Sequence, residues 1–140
     1  MYPTPYEKVR LGAIEALVLE FGLPVGLSDH SLGIYIALGA VALGACAIEK
    51  HFVISRDWPG CDVPLSIEPQ ELSELVVGSR AIFEARQGTK ASLPEEKPVM
   101  DFAFASVVSI VRINKGETFS KDNIWVKRPG TGQILADQYN

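Results

Sequence analysis

Apolar positions in the first half of the chain fall into alternating helix-length and strand-length groups. Val9, Ala13, Ala16 and Leu17 repeat at helical spacing with charged residues on the other side, which predicts an amphipathic helix over Tyr6 to Glu20, ended by Phe21-Gly22. A short strand follows at Val25 to Leu27. Ser31 is placed to cap a second helix whose packing stripe is Leu32, Tyr35, Ile36 and Gly39, with Gly44 ending it. A second strand runs from Ala45 to Phe52. Arg56 to Asp62 is a loop, marked by its Pro59-Gly60 pair. Helical spacing returns over Glu71 to Arg86 at Leu72, Leu75, Val76, Ala81, Ile82 and Ala85, and Gly88 stops it. Helix, strand, helix, strand, loop, helix is the α/β alternation of a wound sheet or barrel.

The pattern then changes. Gln87 to Met100 carries glycine, serine, two prolines and Glu95-Glu96-Lys97, the composition of a linker. Phe102 to Ile113 is rich in β-branched and aromatic residues, Asn114 to Glu117 reads as a turn, Ser120 to Asn123 as a short helical turn, and Ile124 to Val126 as a further strand. This later part is a small β-rich module. Two strands with three helices leave unpaired sheet edges in the earlier part, so the chain is expected to be cut at both ends.

Composition narrows the function. The 140 residues, 47% hydrophobic, suffice for a real core. A net charge of -4 without a basic stripe argues against nucleic acid as a partner. Leu32 to Ile48 carries no charge but falls short of the roughly 20 residues of a spanning helix, and its glycines favour helix, turn and buried strand over a membrane segment. Met1 to Tyr6 has neither the basic start nor the apolar core of a signal peptide, and Cys46 and Cys61 read as reduced thiols, so a cytoplasmic protein is expected.

The chain's two histidines, His30 and His51, each close one of the predicted strands. Parallel strands joined by a crossover helix bring both imidazoles to the same carboxyl edge of a sheet, where α/β proteins place ligands. A shared divalent metal is the sharpest reading, and a pair of hydrogen-bonded edge residues is the bland one. Period-2 alternation puts Glu49 on the side of His51, where it could orient the imidazole or accept from a metal-bound water, and sends Lys50 to the opposite face.

Several segments together resemble bacterial sialic acid synthases. They are Tyr2 to Tyr6, Gly26-Leu27-Ser28-Asp29-His30, Ala42 to Ala45, Ile48-Glu49-Lys50-His51-Phe52, Pro59-Gly60-Cys61-Asp62, Asp101 to Ser106 and Lys127-Arg128-Pro129-Gly130. The resemblance implies an α/β fold, the C-terminal part of a (β/α)8 TIM barrel followed by a partial β-rich SAF (antifreeze-like) domain. Residues 1–88 correspond to the barrel from the end of its sixth strand onward, 89–100 to a linker and 101–140 to part of the SAF domain. It implies condensation of phosphoenolpyruvate with N-acetylmannosamine to N-acetylneuraminate and phosphate. It also implies that the isolated chain is inactive, because other family residues needed for the reaction have no counterpart here.

Residue by residue, the resemblance makes His30 and His51 the protein ligands of Mn2+ or Mg2+. It makes Ser28 a hydroxyl donor to phosphoenolpyruvate and Asp62 the carboxylate that holds hydroxyls of the sugar. Tyr2 and Phe102 line the sugar pocket. Arg128 reaches the N-acetyl group in the barrel of the other subunit of a domain-swapped homodimer. Read from spacing alone, Ser28 and Asp62 could equally make turn hydrogen bonds, Tyr2 and Phe102 could pack, and Arg128 could be solvated. Synthases for legionaminic, pseudaminic or 9-phosphorylated acids are the alternatives within the family, and a non-catalytic carbohydrate-binding module is the alternative outside it.

Overall fold

In the computed structural model, which describes residues 1–139, the pairing of two short parallel strands organises the first half. Strand β1, Leu27–Asp29, lies beside β2, Ile48–Lys50, in the register Leu27 to Ile48, Ser28 to Glu49 and Asp29 to Lys50. The ladder reaches back beyond the strands: Leu27 N donates to Ala47 O at 2.9 Å and Cys46 N to Val25 O at 2.8 Å. Gly26 permits this approach, because a Cβ there would stand 2.7 Å from the Ala47 carbonyl oxygen. Past β2, Phe52 makes a further parallel bridge to Ile67.

Helices α1 (Ala13–Phe21), α2 (Tyr35–Ala42) and α3 (Pro69–Ala85) accompany this ribbon. Ala37, Ile67 and Leu75 form the centre of the core, with Ile34, Leu38 and Ile48 packed around them. Where α2 meets α3, a Cβ on Gly78 would meet Leu38 Cδ2 at 2.9 Å, so the small residue sets how near the helices come. The chain divides into two compact units, Met1–Gly88 and the remainder from Thr89.

Several expected boundaries move. The single helix over Tyr6 to Glu20 is instead a 3-10 turn at Tyr6–Lys8 and a separate α1, since Arg10 adopts a left-handed backbone (φ 56°) that breaks the α-helical ladder. Tyr6 is anchored elsewhere, its hydroxyl donating to the Leu32 carbonyl at 3.3 Å. Strand β1 lies two residues later than expected and β2 is shorter. Ser31 does not cap α2: its amide and hydroxyl are both spent on Asp29, and the helix begins after Ile34. The buried side of α2 is Ala37, Ala40 and Val41, while Leu32 and Tyr35 are 47% and 77% exposed. Helix α3 starts two residues before the expected position because Glu68 and Glu71 form a capping box around Pro69.

In the second unit the expected linker and the Phe102 strand are corrected. Pro94–Glu96 forms a 3-10 turn, and Lys97–Ala103 forms helix α4, which contains Asp101 and Phe102. Prolines at the starts of both segments and a Lys97–Asp101 pair one turn apart (3.0 Å) explain the helical outcome. Strand β3 begins only at Ser106. It runs to Ser109 and pairs antiparallel with β4, Ile124–Lys127, in the register Ser106 to Lys127. The buried Ser106 hydroxyl donates to the Pro129 carbonyl at 3.0 Å and accepts from Gly132 N at 2.8 Å, tying the strand to the loop after β4. Both cysteines are free, and among the described residues no helix is long and apolar enough to cross a membrane.

Candidate functional site

His30 and His51 follow the last paired residues of β1 and β2, and the in-register parallel pairing carries both to the same end of the ribbon. Their rings lie 5.1 Å apart between centroids, inclined at 62°. Backbone bonds hold each position from the outer side: His30 O accepts from Thr4 N at 2.8 Å, and His51 O accepts from Ile67 N at 2.9 Å. The first of these bonds brings the N-terminal segment over the site, where the Tyr2 ring stands edge-on to His30 at 4.4 Å and to His51 at 6.3 Å.

Two residues back on the same face of each strand are Ser28 and Glu49, and the Ser28 hydroxyl donates to Glu49 Oε1 at 2.8 Å. Asp62 comes from the loop after β2, with its carboxylate 3.8 Å from Nδ1 of His51. Both side chains keep solvent contact, 52% exposed for Asp62 and 30% for His51. The Asp62 backbone oxygen, not its carboxylate, makes the turn bonds here, accepting from Ser66 Oγ at 2.8 Å and from Leu65 N. That loop is fastened to the start of α3 by Arg56, whose amide donates to Glu68 Oε1 (2.8 Å), whose Nε donates to the Ser66 carbonyl (3.1 Å) and whose Nη2 pairs with Glu71.

The strand face opposite the histidines holds a group that sequence reasoning missed. Lys50 Nζ lies 2.9 Å from Asp29 Oδ2, the two side chains only 3% and 1% exposed, and also donates to the Ser31 carbonyl at 2.6 Å. Ser31 donates to Asp29 Oδ1 through its amide (2.9 Å) and its hydroxyl (2.7 Å). The available signal was the alternation itself: a lysine turned to the covered face of a buried strand needs a carboxylate, and Asp29 supplies it from β1.

Tyr2, Ser28, His30, Glu49, His51 and Asp62 thus belong to one unit, and the structure places Tyr2, His30 and His51 in one edge-on aromatic cluster with Asp62 beside His51. Phe102 on α4 and Arg128, the residue after β4, belong to the second unit, and each is exposed within it. Among the described residues no cluster of three or more His, Cys, Asp or Glu side chains converges to hold an ion. The centroid separation of the histidine pair admits a shared ion. Metal–nitrogen bonds of about 2.1 Å at angles between octahedral and tetrahedral put two ring centroids on the order of 5 Å apart, the separation seen here.

Comparison with known proteins identifies the family. The model of the NeuB family matches residues 1–91. The N,N'-diacetyllegionaminic acid synthase of Campylobacter jejuni is 44% identical over 99% of this chain and 41% of its own length. The N-acetylneuraminate-9-phosphate synthase of Homo sapiens is 38% identical over 90% of this chain and 36% of its own. A crystal structure of the N-acetylneuraminic acid (sialic acid) synthetase of Leptospira borgpetersenii, in complex with citrate, superposes with a TM-score of 0.65 at 38% identity, covering 71% of this chain and 35% of that one. The chain spans about two fifths of the length of the curated relatives it matches. Its strand-end histidines stand on a parallel ribbon of the α/β-barrel type, and the family similarity runs continuously through both strands: the chain belongs to the NeuB family.

Proposed function

We propose that this chain carries the metal-binding strand ends of a synthase that condenses phosphoenolpyruvate with N-acetylmannosamine to give N-acetylneuraminate and inorganic phosphate. The observation that carries the reading is the His30–His51 pair, 5.1 Å apart at the carboxyl ends of adjacent parallel strands. In the overall reaction C3 of the enol forms a bond to the sugar aldehyde carbon, water adds at C2, and the C2–O bond to phosphate breaks.

His30 and His51 would hold Mn2+ or Mg2+. Such an ion supplies Lewis-acid polarisation of the aldehyde oxygen when bound. The remaining roles belong to side chains. Ser28 would turn its hydroxyl from Glu49 to phosphoenolpyruvate, and Glu49, released from that bond, would take a proton from a nearby donor. Asp62 would accept from sugar hydroxyls, Tyr2 would flank the sugar, and Arg128 would meet the N-acetyl group from a partner subunit of a domain-swapped homodimer. The second unit would then serve as the SAF domain that delivers it.

A second reading concerns the acceptor alone. The 44% identity to a synthase named for a diacetylated product favours a sugar with two acetamido groups, one more than N-acetylmannosamine has.

Calorimetric titration of the chain with MnCl2 tests the metal reading. One equivalent should bind, and His30→Ala and His51→Ala should each lose that binding. Titration with N-acetylmannosamine separates the enzyme from a carbohydrate-binding module, which would bind sugar equally well with or without the histidines. Manganese binding unchanged in both variants overturns the proposal.

A further inference from the structure

The Lys50 ammonium binds on both sides of His30. It contacts the carboxylate of Asp29, the residue before, and the backbone oxygen of Ser31, the residue after, at 2.9 and 2.6 Å. Lys50 itself directly precedes His51. One buried cation therefore links the residues on either side of the first imidazole, through the Asp29 side chain and the Ser31 backbone, to the position next to the second. The Asp29 carboxylate is fully engaged, its second oxygen accepting from both the amide and the hydroxyl of Ser31. We infer that Asp29 and Lys50 are positioning residues: their buried pair, with Ser31, sets the spacing and ring orientation of His30 and His51 from the reverse face of the ribbon.

The argument is geometric. Regular strand pairing ends at Asp29 and Lys50, one residue short of each histidine, so the sheet ladder alone does not dictate how the next residues leave the strands. On the histidine face, the Ser28–Glu49 bond lies two residues back and is exposed to solvent. Beyond the ladder, the cross-strand tie is the Lys50–Ser31 bond, which lies within a charge network of 3% and 1% exposure. Buried, charge-assisted hydrogen bonds tolerate little displacement, because each lengthening leaves charge without a partner in a poorly solvated place. Partners that bond a ligand side chain directly change metal affinity by about 10–100-fold; Asp29 and Lys50 act through the residues flanking the histidines, which sets the expected effect at the lower end of that range.

This inference rests on the metal reading for its affinity readout, and a second readout stands apart from metal. In the metal-free chain, ring protons of His30 and His51 should give a nuclear Overhauser cross-peak, as their 5.1 Å centroid separation requires. The double variant Asp29→Asn/Lys50→Met removes both charges together and so leaves no buried ion alone. It should keep a cooperative thermal transition, lose or broaden the ring cross-peak, and weaken manganese binding about tenfold. Ser31→Ala keeps the ion pair and removes one hydroxyl contact; it should shift the imidazole resonances and weaken binding a few-fold, and it decides the matter should the double variant not fold. A folded double variant with an intact cross-peak and unchanged imidazole shifts overturns the inference, as does a parent chain with no cross-peak or a Ser31→Ala chain identical to the parent. A parent chain that shows the cross-peak but binds no manganese removes the metal reading and leaves the positioning claim to the ring contact.

Discussion

The rings of His30 and His51 stand 5.1 Å apart with 62° between their planes, although twenty other residues separate them along the chain. That approach starts from one parallel register. Ser28 opposite Glu49 and Asp29 opposite Lys50 leave the two histidines as the next residues out on both strands. A slip of one residue would turn one of them to the other face of the ribbon.

Gly26→Ala should damage this register directly. The added methyl would stand 2.7 Å from the Ala47 carbonyl oxygen, the acceptor of the Leu27 amide. The expected cost is about 1–3 kcal/mol in urea denaturation, the range for overpacking a close contact. A midpoint equal to that of the parent would show that the strands separate without penalty.

Lys50→Met alone should destabilise far more than the same change made together with Asp29→Asn. Alone it strands a carboxylate that is 1% exposed, a change that costs about 3–5 kcal/mol when a buried pair is broken from one side. Guanidinium denaturation of the two variants should place the double above the single in stability. The reverse order would mean that the pair contributes little inside the fold.

Glu71→Gln should loosen the loop that carries Asp62. Glu71 accepts from the Glu68 amide at 2.9 Å and pairs with Arg56, so its charge joins the helix cap to the loop base. Stability should fall by about 1 kcal/mol, the usual worth of a cap. Limited trypsin digestion should cut faster after Arg56 in the variant, and equal cutting would dissociate the cap from the loop.

The 140-residue chain alone should release no phosphate above background from phosphoenolpyruvate with N-acetylmannosamine and manganese. Phosphoenolpyruvate is a multiply charged anion, and the charged side chains on the histidine face, Glu49 and Asp62, are acidic. Lys50, the one cation on β1 and β2, is turned to the other face and held by Asp29. A molybdate or coupled phosphate assay checks this, and steady turnover would mean that the histidine pair and Ser28 suffice to bind the substrate.

Much of the histidine site was legible beforehand, because strand alternation is a local property. It put Glu49 with His51 and Lys50 behind them, and the two strand-sized apolar runs around one crossover helix implied the parallel ribbon. The motifs likewise pointed to the family that the whole-chain comparisons support. Less legible were elements whose state depends on distant partners. Lys97–Ala103 is helical although its apolar residues lie beside a β-rich run, since seven residues are too few for either period to show. The long first helix breaks at Arg10, while Tyr6 is drawn to Leu32. Local periodicity decided which side of each strand a residue faces. Only the tertiary structure decided which carboxylate meets Lys50, where Asp62 stands against His51, and which apolar stripes are covered, because register, loop path and burial arise from contacts between residues far apart in the chain.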